Sequence, residues 1–181
     1  MTARLKLGAQ ALAVGLVLAL LALLIWKVAV HNGGGVASKI DKGKIATAPA
    51  FDLRRLDGPG QLELTSLRGH AIVLNFWASW CGPCNQEAPT LESAAQQWAG
   101  KATVVGVDVR DATGDARKFL RQHDISYPVV HDNRDSMWPK WGLTGLPETF
   151  FIDRTGRVVG HVAGQVSAAD LRTGIERALK A

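Results

Sequence analysis

A nearly continuous apolar run, Ala71–Trp77, is followed after three residues by the only two cysteines of the chain, in Trp80-Cys81-Gly82-Pro83-Cys84. Such a run is typical of a buried central strand, and residues 81 to about 98 have the pattern of a helix. A buried strand leading directly into a helix predicts an α/β fold with Cys81 at the amino end of the helix. The unpaired N–H groups and the dipole at a helix N-terminus lower the pKa of a thiol. We therefore expect Cys81 to be the attacking sulfur of a redox-active dithiol.

The spacing of the two cysteines also fits thiol-disulfide exchange. Cys84 lies one helical turn after Cys81 on the same helix face, which predicts that it is the resolving thiol. Pro83 is compatible with a first helical turn, because the N–H that proline lacks would have no partner there.

Other uses of a Cys-x-x-Cys motif fit less well. A structural zinc site needs four Cys or His ligands, and the sequence has no second cysteine pair and no paired-histidine motif. Covalent haem attachment needs a histidine directly after the second cysteine, where this chain has Asn85. An inert structural disulfide stays an alternative, although so short a closed loop would stabilise the fold little.

The rest of the chain predicts a mixed sheet covered by helices on both faces. An N-terminal β-hairpin is expected around Asp57-Gly58-Pro59-Gly60, and a second hairpin around Arg154-Thr155-Gly156. Ser167 begins a capping-box-like start of the last helix. The other expected strands cover residues 102–109 and 127–131, and the other expected helices cover residues 115–123 and 136–142.

Residues 7–26 form an apolar stretch whose only strongly polar member is Gln10. A helix of this length spans about 30 Å, the thickness of the hydrocarbon core of a bilayer. Arg4 and Lys6 precede the stretch, as expected for a cytoplasmic amino terminus. The sequence therefore predicts a cytoplasmic tip and a transmembrane anchor over residues 1–30, with the rest of the chain outside the cytoplasm. A cleaved signal peptide is the alternative, although its apolar core is usually shorter.

Residues 31–48 are rich in glycine and lysine, which predicts a flexible tether to a domain over residues 49–181. Charge is concentrated before that domain: residues 1–44 hold six of the 21 Lys and Arg residues and one of the 16 Asp and Glu residues. The remaining 15 basic and 15 acidic side chains cancel. A neutral domain argues against nucleic-acid binding, which normally requires a basic surface.

Three stretches carry a resemblance to known proteins. They are Val73-Leu74-Asn75-Phe76-Trp77-Ala78-Ser79-Trp80-Cys81-Gly82-Pro83-Cys84, Gln86-Glu87-Ala88-Pro89 and Gly145-Leu146-Pro147-Glu148-Thr149-Phe150-Phe151-Ile152-Asp153. With them the chain resembles the thioredoxin-like superfamily and, within it, the membrane-anchored TlpA/ResA/DsbE (CcmG)-like thiol-disulfide oxidoreductases. The resemblance covers residues 45–181 and implies a thioredoxin-like fold, with the N-terminal hairpin as an extension of its central mixed sheet.

The resemblance further implies a substrate-binding surface beside the cysteines. It implies that the Leu146–Pro147 peptide bond is cis and that the backbone of Leu146 can pair with an extended substrate. An exposed apolar docking surface is expected from Trp80 together with Leu146 and Pro147. A plain structural turn is the alternative for Pro147. Related cytochrome-maturation reductants carry an acid at the position of Glu148, which implies that this carboxylate could bias partner choice or the pKa of a thiol. A rim charge without catalytic role is the alternative for Glu148. The predicted substrate-binding residues are Trp80, Gly82, Pro83, Leu146, Pro147 and Glu148.

One departure from the superfamily concerns proton transfer. Cytoplasmic-type thioredoxins carry a buried aspartate six residues before the first cysteine, where this chain has Asn75, which cannot titrate. The resemblance to the TlpA-like group instead points to Glu87, one helical turn after Cys84. Partial burial would raise the pKa of Glu87 and let it exchange protons with the Cys84 thiol. The alternative is a solvated helix glutamate without a role in catalysis.

These features predict a membrane-tethered thiol-disulfide oxidoreductase on the outer side of a bacterial cytoplasmic membrane. We expect it to act as a reductant, with no metal or cofactor beyond the Cys81–Cys84 pair. Because that compartment is oxidising, a membrane thiol transporter is the expected electron donor. The resemblance implies apocytochrome c as the substrate.

Three alternatives to this function remain. The protein could reduce other oxidised proteins, as a general extracytoplasmic thioredoxin does. An antioxidant peroxidase fits less well, because Ala78 stands where a peroxidatic Thr-x-x-Cys motif has threonine. A redox-inert adaptor that binds a partner through the same groove belongs to a different functional class.

Overall fold

The computed structural model describes the backbone of residues 2–31 and 35–181, and the side chains of residues 12–27 and 35–181. The chain divides into two compact units, with the boundary between Gly34 and Gly35. The first unit contains helix α1, Thr2–His31. Within the described part of the chain, no helix is both long enough and apolar enough to cross a membrane. The anchor predicted at residues 7–26 includes residues 7–11, whose side chains lie outside the described ones, and it stays a prediction.

The second unit is a mixed sheet of eight strands with helices on both faces. The strands are β1 (Ala46–Thr47), β2 (Asp52–Arg55), β3 (Gln61–Glu63), β4 (Ala71–Trp77), β5 (Ala102–Val109), β6 (Val129–Asp132), β7 (Glu148–Ile152) and β8 (Arg157–Ala163). The helices are α2 (Val36–Asp41), α3 (Gly82–Gln97), α4 (Thr113–Gln122), α5 (Met137–Trp141) and α6 (Ala168–Lys180), and a 3-10 turn covers Leu64–Leu67.

The strand order is β1-β8-β7-β4-β5-β6-β2-β3. Strands β4, β5 and β6 are parallel, and all other neighbours are antiparallel. Strand β4 lies inside the sheet and is buried along its whole length, as its apolar run predicts. Both predicted hairpins are present, as β2–β3 and β7–β8, and the predicted thioredoxin-like α/β fold is confirmed.

Alternate residues of β4 face two separate hydrophobic cores, because successive side chains of a strand point to opposite faces. Val73 and Trp77 belong to the core that also contains Cys81 and Cys84 and is covered by α3, α4 and α6. Leu74 and Phe76 belong to the core on the other face, which α2 and α5 cover. The face on which a residue of this sheet lies therefore decides whether it can reach the cysteines.

The flexible tether predicted over residues 31–48 is wrong for residues 35–48, which belong to the folded second unit. Val36 and Ala37 of α2 are buried, and β1 pairs with β8. Gly35 packs so closely that a Cβ atom there would lie 2.1 Å from the Cα of Gly142. A composition of glycine and lysine predicts flexibility, but the small apolar side chains of α2 hold this segment against the sheet. Residues 32–34 lie outside the described residues.

Candidate active site

The two cysteines form a disulfide at the amino end of α3, directly after the loop that follows β4. Cys81 is the N-cap residue of the helix, and its Sγ accepts a hydrogen bond from the backbone N–H of Cys84 at 3.2 Å. Cys81 is 5% exposed and Cys84 is 1% exposed. Cys81 is thus the more accessible residue of the two, and its sulfur is the one that a helix N–H group faces, which is the arrangement predicted for the attacking thiol.

Polar side chains hold the loop between β4 and α3. The N–H and Oγ of Ser79 donate to the carboxylate of Asp111 at 2.5 and 2.9 Å. The Nδ2 of Asn85 donates to the carbonyl oxygens of Ser79 and Cys81 at 3.2 and 2.9 Å, and its Oδ1 lies 3.1 Å from Nε2 of His123. No local pattern in the sequence links these residues, so the prediction missed them. Their contacts keep the disulfide in one position.

Trp80 is the exposed aromatic side chain next to the disulfide. It is 61% exposed, and its Nε1 donates to the carbonyl oxygen of Arg110 at 2.9 Å. This bond orients the indole and leaves most of the ring open to solvent. Gly82 and Pro83, on the other side of Cys81 in the chain, are also exposed. These three predicted substrate-binding residues therefore lie at the surface.

Leu146 and Pro147 form the other part of the predicted substrate-binding surface. Their peptide bond is cis, as the resemblance implies. Pro147 is buried, so its predicted place in an exposed apolar surface is wrong: it directly precedes β7, which is buried along its whole length. Leu146 is partly buried against both cores, including the one that contains the cysteines. Among the described residues, no hydrogen bond uses the backbone N–H or C=O of Leu146. Both groups are thus available to an extended chain.

Glu87 is a buried carboxyl group one helical turn after Cys84, and only 1% of it is exposed. Its Oε1 accepts from Nδ2 of Asn75 and its Oε2 from the N–H of Val166, each at 2.8 Å. Burial raises the pKa of Glu87 to about 7, although these two hydrogen bonds act in the opposite direction. The alternative of a solvated glutamate is excluded, and the group can bind or release a proton near neutral pH.

Asn75 connects Glu87 with the strand that follows Pro147. Besides the carboxylate, its Nδ2 contacts Oγ1 of Thr149 at 3.0 Å. Thr149 lies opposite Asn75 in the β4–β7 pairing, so both side chains lie on the same face of the sheet as Glu87. Asn75 carries no titratable proton itself, but it helps to orient the residue that does.

Glu148 is not at the substrate-binding surface where it was predicted. It is buried, and its Oε1 accepts from the N–H and Oγ1 of Thr144 at 2.6 and 2.9 Å and from the N–H of Gly145 at 3.1 Å. Its Oε2 lies 2.8 Å from Nε2 of His161. The rim charge considered as the alternative is also wrong.

The pairing of β7 explains this correction. Glu148 lies opposite Phe76 of β4, whose side chain faces the core on the side away from the cysteines. Residue 148 directly precedes residue 149, and the two side chains point to opposite faces of the sheet. Glu148 therefore cannot contact the disulfide, and it supports the loop before it instead.

A second pair of titratable groups, the buried Asp108 and the partly buried His131, joins β5 to β6. Oδ2 of Asp108 and Nδ1 of His131 are 2.6 Å apart. Burial, together with the charge of Asp111, raises the pKa of Asp108 to about 8, and burial lowers the pKa of His131. Both shifts favour the neutral forms of the two side chains. In the part of the chain that the structure describes, no group of three His, Cys, Asp or Glu residues could hold a metal ion.

Comparisons with known proteins agree with this site. Residues 46–161 match the AhpC/TSA family. The thiol-disulfide oxidoreductase ResA of Geobacillus thermodenitrificans is 31% identical over 132 residues, which cover 72% of this chain and 75% of that protein. A thiol:disulfide interchange protein DsbE homologue of Paracoccus denitrificans is 40% identical over 116 residues, which cover 62% of this chain and 63% of that protein.

A solved structure is similar over most of the second unit. The thiol:disulfide interchange protein of the thioredoxin family from Chlorobium tepidum TLS has a TM-score of 0.68 and 30% sequence identity, and the similarity covers 75% of this chain and 97% of that one. The residues matched to the family include both cysteines, Glu87 and Pro147. The chain therefore belongs to the AhpC/TSA family of thioredoxin-like proteins, and it is a thiol-disulfide oxidoreductase.

Proposed function

We propose that the protein is a membrane-tethered reductant of protein disulfides on the outer side of a bacterial cytoplasmic membrane. The observation that carries the reductase role is the buried carboxyl of Glu87, one helical turn from Cys84, with a pKa of about 7. A reductant needs a group that removes the proton of its second thiol during each cycle, and Glu87 is suited to do so. The tether and the location rest on the apolar sequence of residues 7–26.

In the first step, the thiolate of Cys81 attacks one sulfur of a substrate disulfide. The N–H of Cys84 and the dipole of α3 stabilise this thiolate at the helix N-terminus. A bond forms between Sγ of Cys81 and the substrate sulfur, the substrate disulfide breaks, and the other substrate sulfur leaves as a thiolate.

In the second step, Cys84 releases the substrate. Its thiol transfers a proton to the carboxylate of Glu87, and the resulting thiolate attacks Sγ of Cys81. The Cys81–Cys84 disulfide forms, the mixed disulfide breaks, and the second substrate sulfur leaves as a thiolate. Two electrons have then passed to the substrate, and the dithiol is the only redox group that the cycle uses. With a pKa near 7, Glu87 can return its proton to solvent before the next cycle.

The substrate is proposed to bind as an extended segment that contacts Leu146 and Trp80. The free N–H and C=O of Leu146 supply main-chain pairing, which tolerates different side chains. The open indole of Trp80 supplies apolar contact area next to Cys81. This mode of binding selects unfolded or flexible proteins whose cysteines lie in an extended segment.

Apocytochrome c is the proposed substrate, by resemblance to the DsbE-like group. Its haem-attachment cysteines must be reduced before haem is added, and they lie in a chain that has not yet folded. The outer compartment is oxidising, so we propose that a membrane thiol transporter returns the electrons to Cys81 and Cys84.

Trapping tests this function directly. In the full chain, Cys84→Ser should accumulate mixed disulfides between Cys81 and its substrates, which dithiothreitol releases for identification. The control Cys81→Ser should accumulate none. Partners trapped by Cys81→Ser but not by Cys84→Ser would reverse the two roles. If proteins are trapped but none of them is apocytochrome c, the reductase role is still supported and apocytochrome c is excluded as the substrate.

Membrane tethering needs a separate test. The full chain should sediment with membranes and resist extraction at alkaline pH, because an apolar helix across the bilayer is held by its hydrophobic surface. Detergent should release it. Recovery of the intact chain in the alkaline wash would exclude the anchor.

A further inference from the structure

We propose that His161 is a positioning residue for substrate binding: it holds the Glu148 carboxylate that fixes the loop presenting Leu146, and Asp41 holds His161 in turn. The inference rests on the proposed role of Leu146 in binding protein disulfides. It also assigns a purpose to residues 35–41, whose composition predicts a mere tether.

The loop before Pro147 is fixed by one buried carboxylate. Three donors of Thr144 and Gly145 point to Oε1 of Glu148, at distances from 2.6 to 3.1 Å. Glu148 is the first residue of β7, so the sheet fixes its backbone. The carboxylate therefore ties the loop that carries Leu146 to the sheet.

The other oxygen of this carboxylate contacts His161, whose side chain is 4% exposed. Oε2 of Glu148 lies 2.8 Å from Nε2, and Oδ1 of Asp41 lies 3.0 Å from Nδ1. The imidazole stacks on the ring of Phe150 at 4.4 Å between centroids. Because both ring nitrogens face carboxylate oxygens, the doubly protonated imidazolium is the form that donates to both.

The electrostatics favour this charged form. Burial alone would lower the pKa of His161, but the hydrogen bonds with Glu148 and Asp41 outweigh burial and raise it. Burial alone would raise the pKa of Glu148, but the hydrogen bond with His161 and the donors of the loop outweigh burial and lower it. Both shifts favour the ion pair over a pair of neutral side chains.

The charged groups around His161 are few. Glu148 on β7 and Asp41 at the end of α2 contact the ring, and α2 also carries Lys39, which is exposed. Strand β1 carries no titratable side chain. From α6, Arg177 reaches strand β8 at the carbonyl oxygen of Val159, at 3.2 Å. The strength of the contacts of His161 with Glu148 and Asp41 therefore depends on the protonation of His161.

Residues 35–41 contact the same loop region at their other end. Gly35 lies against the backbone of Gly142, where a Cβ on Gly35 would be 2.1 Å from Cα. Gly142 ends α5 with a left-handed φ of 72°, two residues before Thr144. The segment is therefore a strap that meets the substrate-binding loop directly at Gly142 and indirectly through Asp41 and His161.

The proposal separates two kinds of substrate. Loss of the His161 charge loosens the loop but not the disulfide, which lies with the core on the opposite face of the sheet. Reaction with an extended protein disulfide should slow, whereas reaction with a small disulfide that does not use Leu146 should not. The titration of the Cys81 thiol changes both rate constants by the same factor, so it does not affect their ratio.

The experiment compares His161→Gln and Asp41→Asn with the exposed controls His70→Gln and Asp52→Asn, all in the full chain. Second-order rate constants of the reduced proteins are measured with insulin and with hydroxyethyl disulfide from about pH 5.5 to about pH 8.5. In the wild type the insulin-to-hydroxyethyl-disulfide ratio should fall as His161 loses its proton. His161→Gln should lower the ratio about tenfold at the acid end and remove its pH dependence. Asp41→Asn should lower the ratio by a smaller factor, and the controls should not change it.

Amide exchange supplies a readout that does not depend on redox activity. In the oxidised protein, the amides of Thr144 and Gly145 should exchange about tenfold faster in His161→Gln than in the wild type. Unchanged exchange, or an equal loss of rate with both disulfides, would overturn the positioning role. A wild type that fails to reduce insulin would instead refute the proposed function, and exchange would still decide the role of His161. If His161→Gln does not fold, the rate ratio and the amide exchange of the variant Asp41→Asn, whose substituted side chain is exposed, decide whether His161 has this role.

Discussion

Replacement of Glu87 by glutamine should make the oxidised protein less stable than the oxidised wild type in acid solution and more stable than the wild type in alkaline solution. The carboxyl of Glu87 is buried, and its pKa rises from an ordinary 4.5 to about 7, chiefly because burial disfavours the charged form. In the unfolded chain the same group titrates near its ordinary value. The folded state therefore binds the proton more tightly, so wild-type stability from this group is greatest below pH 4.5 and falls as the pH rises to about 7.

The size of the effect follows from the same values. At about 1.36 kcal/mol per pKa unit, the rise from 4.5 to about 7 corresponds to about 3 kcal/mol lost over that interval. Glutamine does not titrate, but its NH2 group replaces one of the two accepting oxygens of Glu87. That NH2 group then faces another donor, either Nδ2 of Asn75 or the N–H of Val166, and the lost hydrogen bond costs about 1 kcal/mol of stability at every pH. Glu87→Gln should thus be less stable than the wild type by about 1 kcal/mol in acid and more stable by about 2 kcal/mol at about pH 8.

Urea unfolding of the oxidised full-length proteins over a series of pH values measures this crossing. The difference between wild type and variant removes groups that both proteins share, such as Asp108, whose pKa is raised to about 8. Glu176→Gln on the exposed side of α6 is the matched control and should show no crossing. A difference between wild type and Glu87→Gln that is constant with pH would refute the raised pKa and, with it, proton exchange between Glu87 and Cys84.

Three further substitutions test the site and its support. Asn85→Ala removes two donor bonds to the loop before α3 and should lower the free energy of unfolding by about 2 kcal/mol, and an unchanged urea midpoint would contradict the role of this side chain. Trp80→Ala should slow reduction of insulin about tenfold at unchanged stability and leave hydroxyethyl disulfide unaffected; equal effects on both disulfides would exclude a docking role. Gly174→Ala places a Cβ 2.3 Å from the ring of Phe151 and should cost at least about 2 kcal/mol, whereas Gly114→Ala, with open space around it, should not destabilise α4. Urea unfolding of Gly174→Ala and Gly114→Ala measures this difference in stability. The two variants would be equally stable if α6 could shift freely.

Much of the fold could be predicted because it depends on short-range patterns. The apolar run at residues 71–77 is a buried strand in the structure. The turn sequences lie between paired strands, and Ser167 forms a full capping box with Asp170. Each of these features is encoded within a few neighbouring residues, where side-chain periodicity and backbone preference act directly.

Two predictions failed for a common physical reason. The segment over residues 35–48 has the composition of a tether, but close packing at Gly35 and the burial of Val36 dock it on the folded unit. Glu148 follows Pro147 in a motif that suggests a surface role, but its place in β7 turns it to the face away from the cysteines. Both outcomes depend on partners far away in the chain, which no local pattern contains.

The sequence by itself determined the chemistry of this protein: a dithiol at a helix N-terminus, a carboxyl one turn beyond it, and the strand and helix that carry them. These features are local, so spacing and helix geometry are enough to place them. Only the tertiary structure decided which groups support the site. It buried Glu87 between Asn75 and Val166, which raises the pKa of its carboxyl. It also joined Asp41, His161 and Glu148 next to the loop that carries Leu146, because strand pairing and packing bring together side chains that lie up to 120 positions apart.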